Sequence, residues 1–164
     1  MAETVHLFLK GKKSGDIKGD STQTSLGRKE SIECVFWESG LTTAREAGSV
    51  LATGRRQHHP ILIRKRIDKS TPLLSASLCN NEEIEGTFKF YRPTPAGDGT
   101  TEQFFTVAIQ KGRIASQRLM VPDSLVPASS MDPPMEEVTF VFHTITWTIT
   151  QGGVTAEDTW DAQA

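Results

Sequence analysis

The chain has 164 residues, 37% of them hydrophobic, a formal net charge of -2 and a mean hydropathy of -0.33. These values describe one globular domain, spanning 1–164, with its own core, and they exclude a disordered polymer. No apolar run approaches the ~20 residues of a membrane-spanning helix, and the charge gives no overall attraction to nucleic acid or an acidic membrane.

The opening, Met1 to Leu7, lacks a basic segment followed by a long apolar stretch, so no cleaved export signal is expected. Folding in the cytoplasm follows, and any export would need a machine that reads no such signal. Val5 to Leu9 alternates as a strand does, and Gly11, Ser14-Gly15-Asp16 and Gly19-Asp20 mark turns. Ser31 to Trp37 reads as a second strand, with Ile32, Cys34 and Phe36 on one face and Glu33, Val35 and Trp37 on the other. Thr42 to Gly54 is small, polar and without a period, hence a loop. Ile61 to Ile67 places Ile61, Ile63 and Ile67 on one side, with Leu62, Arg64 and Arg66 opposite.

The stretch from Ser70 to Cys79 breaks the strand rule. Thr71 is the expected N-cap and Pro72 the first helical residue, Leu74 and Leu78 share a face, and Asn80-Asn81 ends the helix. Thr87 to Tyr91 and Phe104 to Ile109, extended to Arg118, return to strands around a hairpin loop at Pro93 to Thr101. Val121 to Pro134 is a long proline-rich loop. Val138 to Ile149 reads as one long strand, and Gln151-Gly152-Gly153 turns it into a final strand, Val154 to Trp160. Many antiparallel strands, one short helix and one core predict a small β-barrel or sandwich.

Chemistry is sparse. His58 and His59 are adjacent, so on a strand they point to opposite faces and cannot easily grip one metal ion; solvated or strand-start positions are expected. His143 lies among Val141, Ile145 and Trp147, where a core or interface histidine with a hydrogen-bond partner is the expectation. The clusters Glu82-Glu83-Glu85, Glu136-Glu137 and Glu157-Asp158-Asp161 sit at strand ends and turns, where solvated charge is the default. Arg55-Arg56 and Arg64-Lys65-Arg66 carry no interleaved aromatic platform for nucleic acid, and alternation parts Lys65 from its neighbours. Cys34 and Cys79 match no metal or redox spacing, and both read as buried small apolar groups. No motif for hydrolysis, phosphate binding or dinucleotide binding is present, which predicts neither enzyme nor cofactor.

Four blocks in order resemble the haemolysin-coregulated protein (Hcp) family of bacterial type VI secretion. They are the first strand with Asp16-Ile17-Lys18-Gly19-Asp20-Ser21, then Ser31 to Trp37, then Arg64-Lys65-Arg66-Ile67-Asp68-Lys69-Ser70-Thr71-Pro72-Leu73-Leu74, and the closing His143-Thr144-Ile145-Thr146-Trp147 through Asp158-Thr159-Trp160. The third is the most specific, and its Ile67, Asp68, Lys69, Ser70, Thr71 and Pro72 form the family's strand-to-helix block.

The resemblance implies a mainly β fold, an antiparallel two-sheet β-barrel with one short α-helix on the side, assembling into a hexameric ring. It implies stacked rings forming the inner tube that a contractile sheath expels behind a VgrG-type spike, with small effectors held in the lumen. The protein would be cytoplasmic before firing and extracellular after, bound to no nucleic acid and inserted in no membrane. It also implies that Thr42, Thr43, Ala44, Arg45, Glu46, Ala47, Gly48, Ser49, Val50 and Leu51 form a loop touching neighbouring subunits or the next ring. Whether Glu33, Arg64, Arg66 or Lys89 face core or lumen stays open. The alternative function is a monomeric β-barrel binding a small ligand, which predicts a monomer and a cavity; a hydrolase would need a constellation missing from the sequence.

Overall fold

The structure is a computed structural model, and it describes residues 3–160. The elements in chain order are β1 (Thr4–Gly11), β2 (Gly15–Ile17), β3 (Ile32–Thr42), β4 (Gln57–Arg66), α1 (Thr71–Cys79), β5 (Ile84–Pro93), β6 (Thr101–Met120), β7 (Met135–Val141), β8 (Thr144–Ile149) and β9 (Val154–Thr159). The fold is mainly β, and its pairings are antiparallel. They run from β1 to β3, β4, β7, β6 and β5, and β5 returns to β1. β2 hangs on β1, while β8 and β9 extend from the first half of β6.

Period-two alternation fills the interior. Leu7, Ile32, Ile61, Ile63, Phe88, Val107, Val138 and Phe140 are fully buried, and their chain neighbours are more exposed except for His6 beside Leu7 and Ser31 beside Ile32, which are buried too. Helix α1 packs on β6 and adds Leu74, also fully buried, to the same cluster. The helix cap is Ser70, one residue before the expected Thr71, so Pro72 is the second helical residue; its missing N–H costs nothing there. Asn81 adopts φ 49 just after the helix, the left-handed stop that asparagine tolerates.

Several expectations are corrected. The stretch 138–149 is two strands, because β6 turns a corner that its partner follows. β7 lies along the second half of β6 and β8 along the first, with Phe142 and His143 in the gap. At the corner Lys111 has φ 51 and Gly112 passes so close to β7 that an added Cβ would lie 3.0 Å from the Val141 carbonyl oxygen. A larger residue would press on the β7 backbone there.

In β3 a bulge between Cys34 and Phe36 flips the alternation: Trp37 packs on the core and Phe36 turns outward under the Arg64 guanidinium. β4 ends at Arg66, so Ile67 is exposed, and Lys65 takes the inward position after Ile61 and Ile63. Glu33, Arg64, Arg66 and Lys89 all lie outside the core cluster, Lys89 with its ammonium 4.5 Å from the Phe8 ring centre. Cys34 is buried as expected, and burial pushes its thiol up to about 12. Cys79 is exposed at the last residue of α1, where the expectation of burial fails.

Candidate functional site

Three assemblies of polar or exposed side chains stand out. The first lies where β4 enters α1 and contains the block Ile67 to Pro72. The Lys65 side chain is fully buried and pairs with Glu136, also fully buried, and with Asp68 at 2.8 Å. Thr71 Oγ1 donates to Glu136 Oε1 at 2.6 Å, Gln117 Nε2 donates to Glu136 Oε2 at 2.8 Å, and Ser75 Oγ donates to Gln117 Oε1 at 2.6 Å. Burial works to raise the Asp68 pKa, but hydrogen bonds from Lys65 and Ser70 outweigh it and hold the carboxyl below its usual range. Asp68 also accepts from the Asp20 N–H at 3.2 Å, while the Lys69 N–H donates to Asp20 at 3.0 Å, so the 16–21 turn is tied to the same block. The network welds β4, β6, β7 and α1 together. Its chemistry is structural, because every oxygen of Glu136 is occupied by donors of the fold.

Glu136 was expected to be solvated and is not; a carboxylate on the face of Val138 and Phe140 must go inside with them. Glu82 is likewise buried, accepting from the Lys13 N–H at 2.5 Å and from the Ser14 N–H at 2.6 Å and hydroxyl at 2.7 Å. The Ser14 hydrogen bonds hold its carboxyl below the ordinary range. Sequence reasoning missed both, although a charged residue in step with buried neighbours is the available signal.

The second assembly is the segment from Thr42 to Leu51. Thr42 closes β3 opposite Gln57, and Arg45 and Ala52 form an isolated bridge, so the chain leaves the sheet as a two-stranded ribbon, here called the arm. Residues 44–51 are exposed, Val50 at 77% and Leu51 at 64%. Val50 has φ 57, a left-handed backbone that a β-branched residue adopts only under strain.

The third assembly joins the root of the arm to the C-terminal hairpin. Arg56 Nε and His58 Nε2 reach the same Asp158 oxygen, at 2.7 and 2.6 Å, and Arg56 Nη2 donates to the Thr159 carbonyl at 2.7 Å. The His58 ring lies among Phe142, Trp147 and Trp160, with centroid distances of 5.4, 6.2 and 5.5 Å. The hydrogen bond from Arg56, followed by that from His58, keeps the Asp158 carboxyl below its usual range despite partial burial. His58 begins a strand as expected, but its side chain is only 4% exposed and so is not solvated. His59 is exposed, within 3.3 Å of Thr42 Oγ1. His143 sits in the β7–β8 gap, half-buried, and its carbonyl accepts from the Trp160 N–H at 3.1 Å. Among the described residues no group of three or more His, Cys, Asp or Glu side chains could hold a metal ion.

A β scaffold whose buried charges are satisfied internally, yet which leaves apolar groups on an arm in water, belongs to the class of self-packed building blocks. The family described as "Type VI secretion system effector, Hcp" matches residues 8–149, and the chain belongs to this family. Over 168 aligned positions it is 27% identical to the "Major exported protein" of Pseudomonas aeruginosa, covering 98% of this chain and 96% of that one. Hcp1 from Escherichia coli EAEC 042, solved as a double mutant, superposes with a TM-score of 0.82 at 27% identity over 97% of this chain and 99% of that chain. A crystal structure of an Hcp protein superposes with a TM-score of 0.85 at 23% identity, over 99% of this chain and 100% of that one, which speaks for the fold alone. Family membership makes the chain a secreted, structural component of the type VI tube, and favours that role over a monomer that binds a ligand.

Proposed function

We propose that the closed cycle of strands is a two-sheet β-barrel forming one domain over the whole chain, and that six copies close into a ring. The observation that carries this is the apolar surface the chain cannot cover itself: Val35, Leu41, Val50, Leu51, Leu119 and Val121 are all exposed around a core of buried apolar side chains. Such surface calls for a partner chain. A ring built head to tail uses two different patches per subunit and repeats them until it closes.

Rings then stack as the inner tube, with the arm, Thr42 to Leu51, meeting a neighbouring subunit or the next ring. The Ile67 to Pro72 block serves the subunit's own rigidity, holding α1 against β6 through Asp68 and Thr71. The tube's partners are a contractile sheath outside, a VgrG-type spike at the tip and small effectors in the lumen. The role is mechanical and not catalytic, needs no cofactor, and takes the protein from the cytoplasm to the outside when the apparatus fires. The test is the absolute mass of the native protein by light scattering behind size exclusion. A species near six times the 18.0 kDa chain is expected, and a clean monomer at every concentration would overturn the ring.

A further inference from the structure

The backbone holds the arm only through a two-stranded ladder at its root. β4 pairs with β7 only from Ile61 onward, opposite Phe140, so residues 57–60 are held along one side alone, by β3. A bulge between Glu38 and Gly40 interrupts even that ladder just before its last pairs, Gly40 with His59 to Thr42 with Gln57. A lone two-stranded ribbon is marginal in water, and a bulge lets it swing. Something else must fix its direction.

The Arg56–His58–Asp158 contact stands at this point. It spans about a hundred residues of sequence and joins the root of the arm to β9 through one carboxylate oxygen. That carboxylate is held in turn by the hairpin register, in which Asp158 faces Ile145 of β8. Both partners of the carboxylate are largely withdrawn from water, with side chains 19% and 4% exposed for Arg56 and His58. Charge-assisted bonds in such surroundings are stronger than exposed ion pairs. The aromatic slot of Phe142, Trp147 and Trp160 then fixes the His58 ring in plane and depth.

We propose that Asp158 is a positioning residue for the arm: the C-terminal hairpin holds the arm's root and thereby sets how Val50 and Leu51 are presented to a second copy of the chain. The consequence for assembly rests on the arm being a contact between subunits or rings; the catch itself does not.

The full-length Asp158→Asn protein, compared with the parent, separates the two. Trypsin cleavage after Arg45 and Arg55 is timed by mass spectrometry, alongside the thermal midpoint and the sedimentation of stacked rings. Freeing a charge-assisted catch is expected to speed these cuts about ten-fold or more while the body's midpoint stays near the parent's. Asp158→Glu, which keeps the charge, is expected to restore most of the protection. Should Asp158→Asn unfold the body, Arg56→Gln keeps the pairing of β8 with β9 and is read by the same cuts. Faster cuts with weakened stacking bear out both ideas. Faster cuts with unchanged stacking keep the catch and remove the arm's role as a contact. Equal cutting in the parent and the variants overturns the catch.

Discussion

The β4–α1 junction and the arm differ in where their needs are met. Lys65 and Glu136 are charges taken wholly out of water, so each demands a partner, and the chain supplies all of them from β4, β6, β7 and α1. Val50 and Leu51 are apolar groups left in water, and the chain supplies nothing. One region spends its polar groups on being rigid. The other leaves apolar surface and backbone strain exposed, which under the proposed role await a second copy of the chain. The difference teaches that a tube subunit must be stiff inside and unfinished outside.

The largest expected effect comes from breaking the first region. Lys65→Met leaves Glu136 buried without its cation, and removing one partner of a buried pair costs about 3–5 kcal/mol. The double variant Lys65→Met/Glu136→Leu removes the orphaned charge as well and should regain most of that loss. Urea denaturation of the two variants and the parent reads both numbers. A single variant within ~1 kcal/mol of the parent would mean that the junction is not what stiffens the body.

A second effect sharpens the comparison by asking how well the rest of the interior tolerates charge. His6 is fully buried on β1, and Ser31 Oγ, which donates to the Arg28 carbonyl at 2.7 Å, is left to accept from His6 Nδ1 at 2.9 Å. With the ring neutral, Nδ1 carries the proton and Nε2 accepts from Thr4 Oγ1 at 3.2 Å. Burial first, and Arg28 in addition, lower the pKa to about 4, against an opposing pull from Glu33. The unfolded chain takes up this proton near pH 6.5 and the folded chain only near 4. Stability is therefore complete above pH 6.5 and falls as the pH drops toward 4, by about 3 kcal/mol in all. The depressed carboxylates Asp68, Glu82 and Asp158 lose their contribution at still lower pH, so the window from 6.5 to 5 separates His6 from them. A slope in that window that persists unchanged in His6→Gln would rule His6 out as its source.

Much of this was legible in the sequence, and the failures have physical causes. Alternation located the strands and the 70–79 helix because burial is one-sided on each. It also carried the warning at Lys65, in step with Ile61 and Ile63. What it could not carry was Glu136 as the answer, since a partner across the fold leaves no local mark. The bulge after Cys34, which turns Trp37 inward, and the corner at Gly112, which splits 138–149, are one-residue events in otherwise regular patterns. His58 was misjudged for a related reason: the residues that bury it, Phe142, Trp147 and Trp160, come from the opposite end of the chain. The arm read as a loop from its composition alone, while the part in assembly proposed for it rests on family resemblance, because exposure names no partner.

The smallest effect on the subunit should be the one most visible in the tube. Val50 holds φ 57 at the tip of the arm with its side chain in water, so Val50→Gly removes left-handed strain and an exposed isopropyl group. A glycine at that backbone relieves strain of order 1 kcal/mol, offset by the greater freedom it gives the unfolded chain. The net change in the subunit's stability is expected within ~0.5 kcal/mol. Assembly should move the other way, because the apolar contact is lost and the tip is no longer held in one shape. Sedimentation of stacked rings at matched concentration is expected to fall while the mass of the single ring is kept. Val50→Ala divides the two causes: it keeps the strain and shortens the side chain. If it stacks as poorly as Val50→Gly, the lost contact is responsible; if it stacks like the parent, the shape of the tip is what a neighbour reads. Stacking that survives both substitutions would show that the strain at Val50 serves no contact between rings.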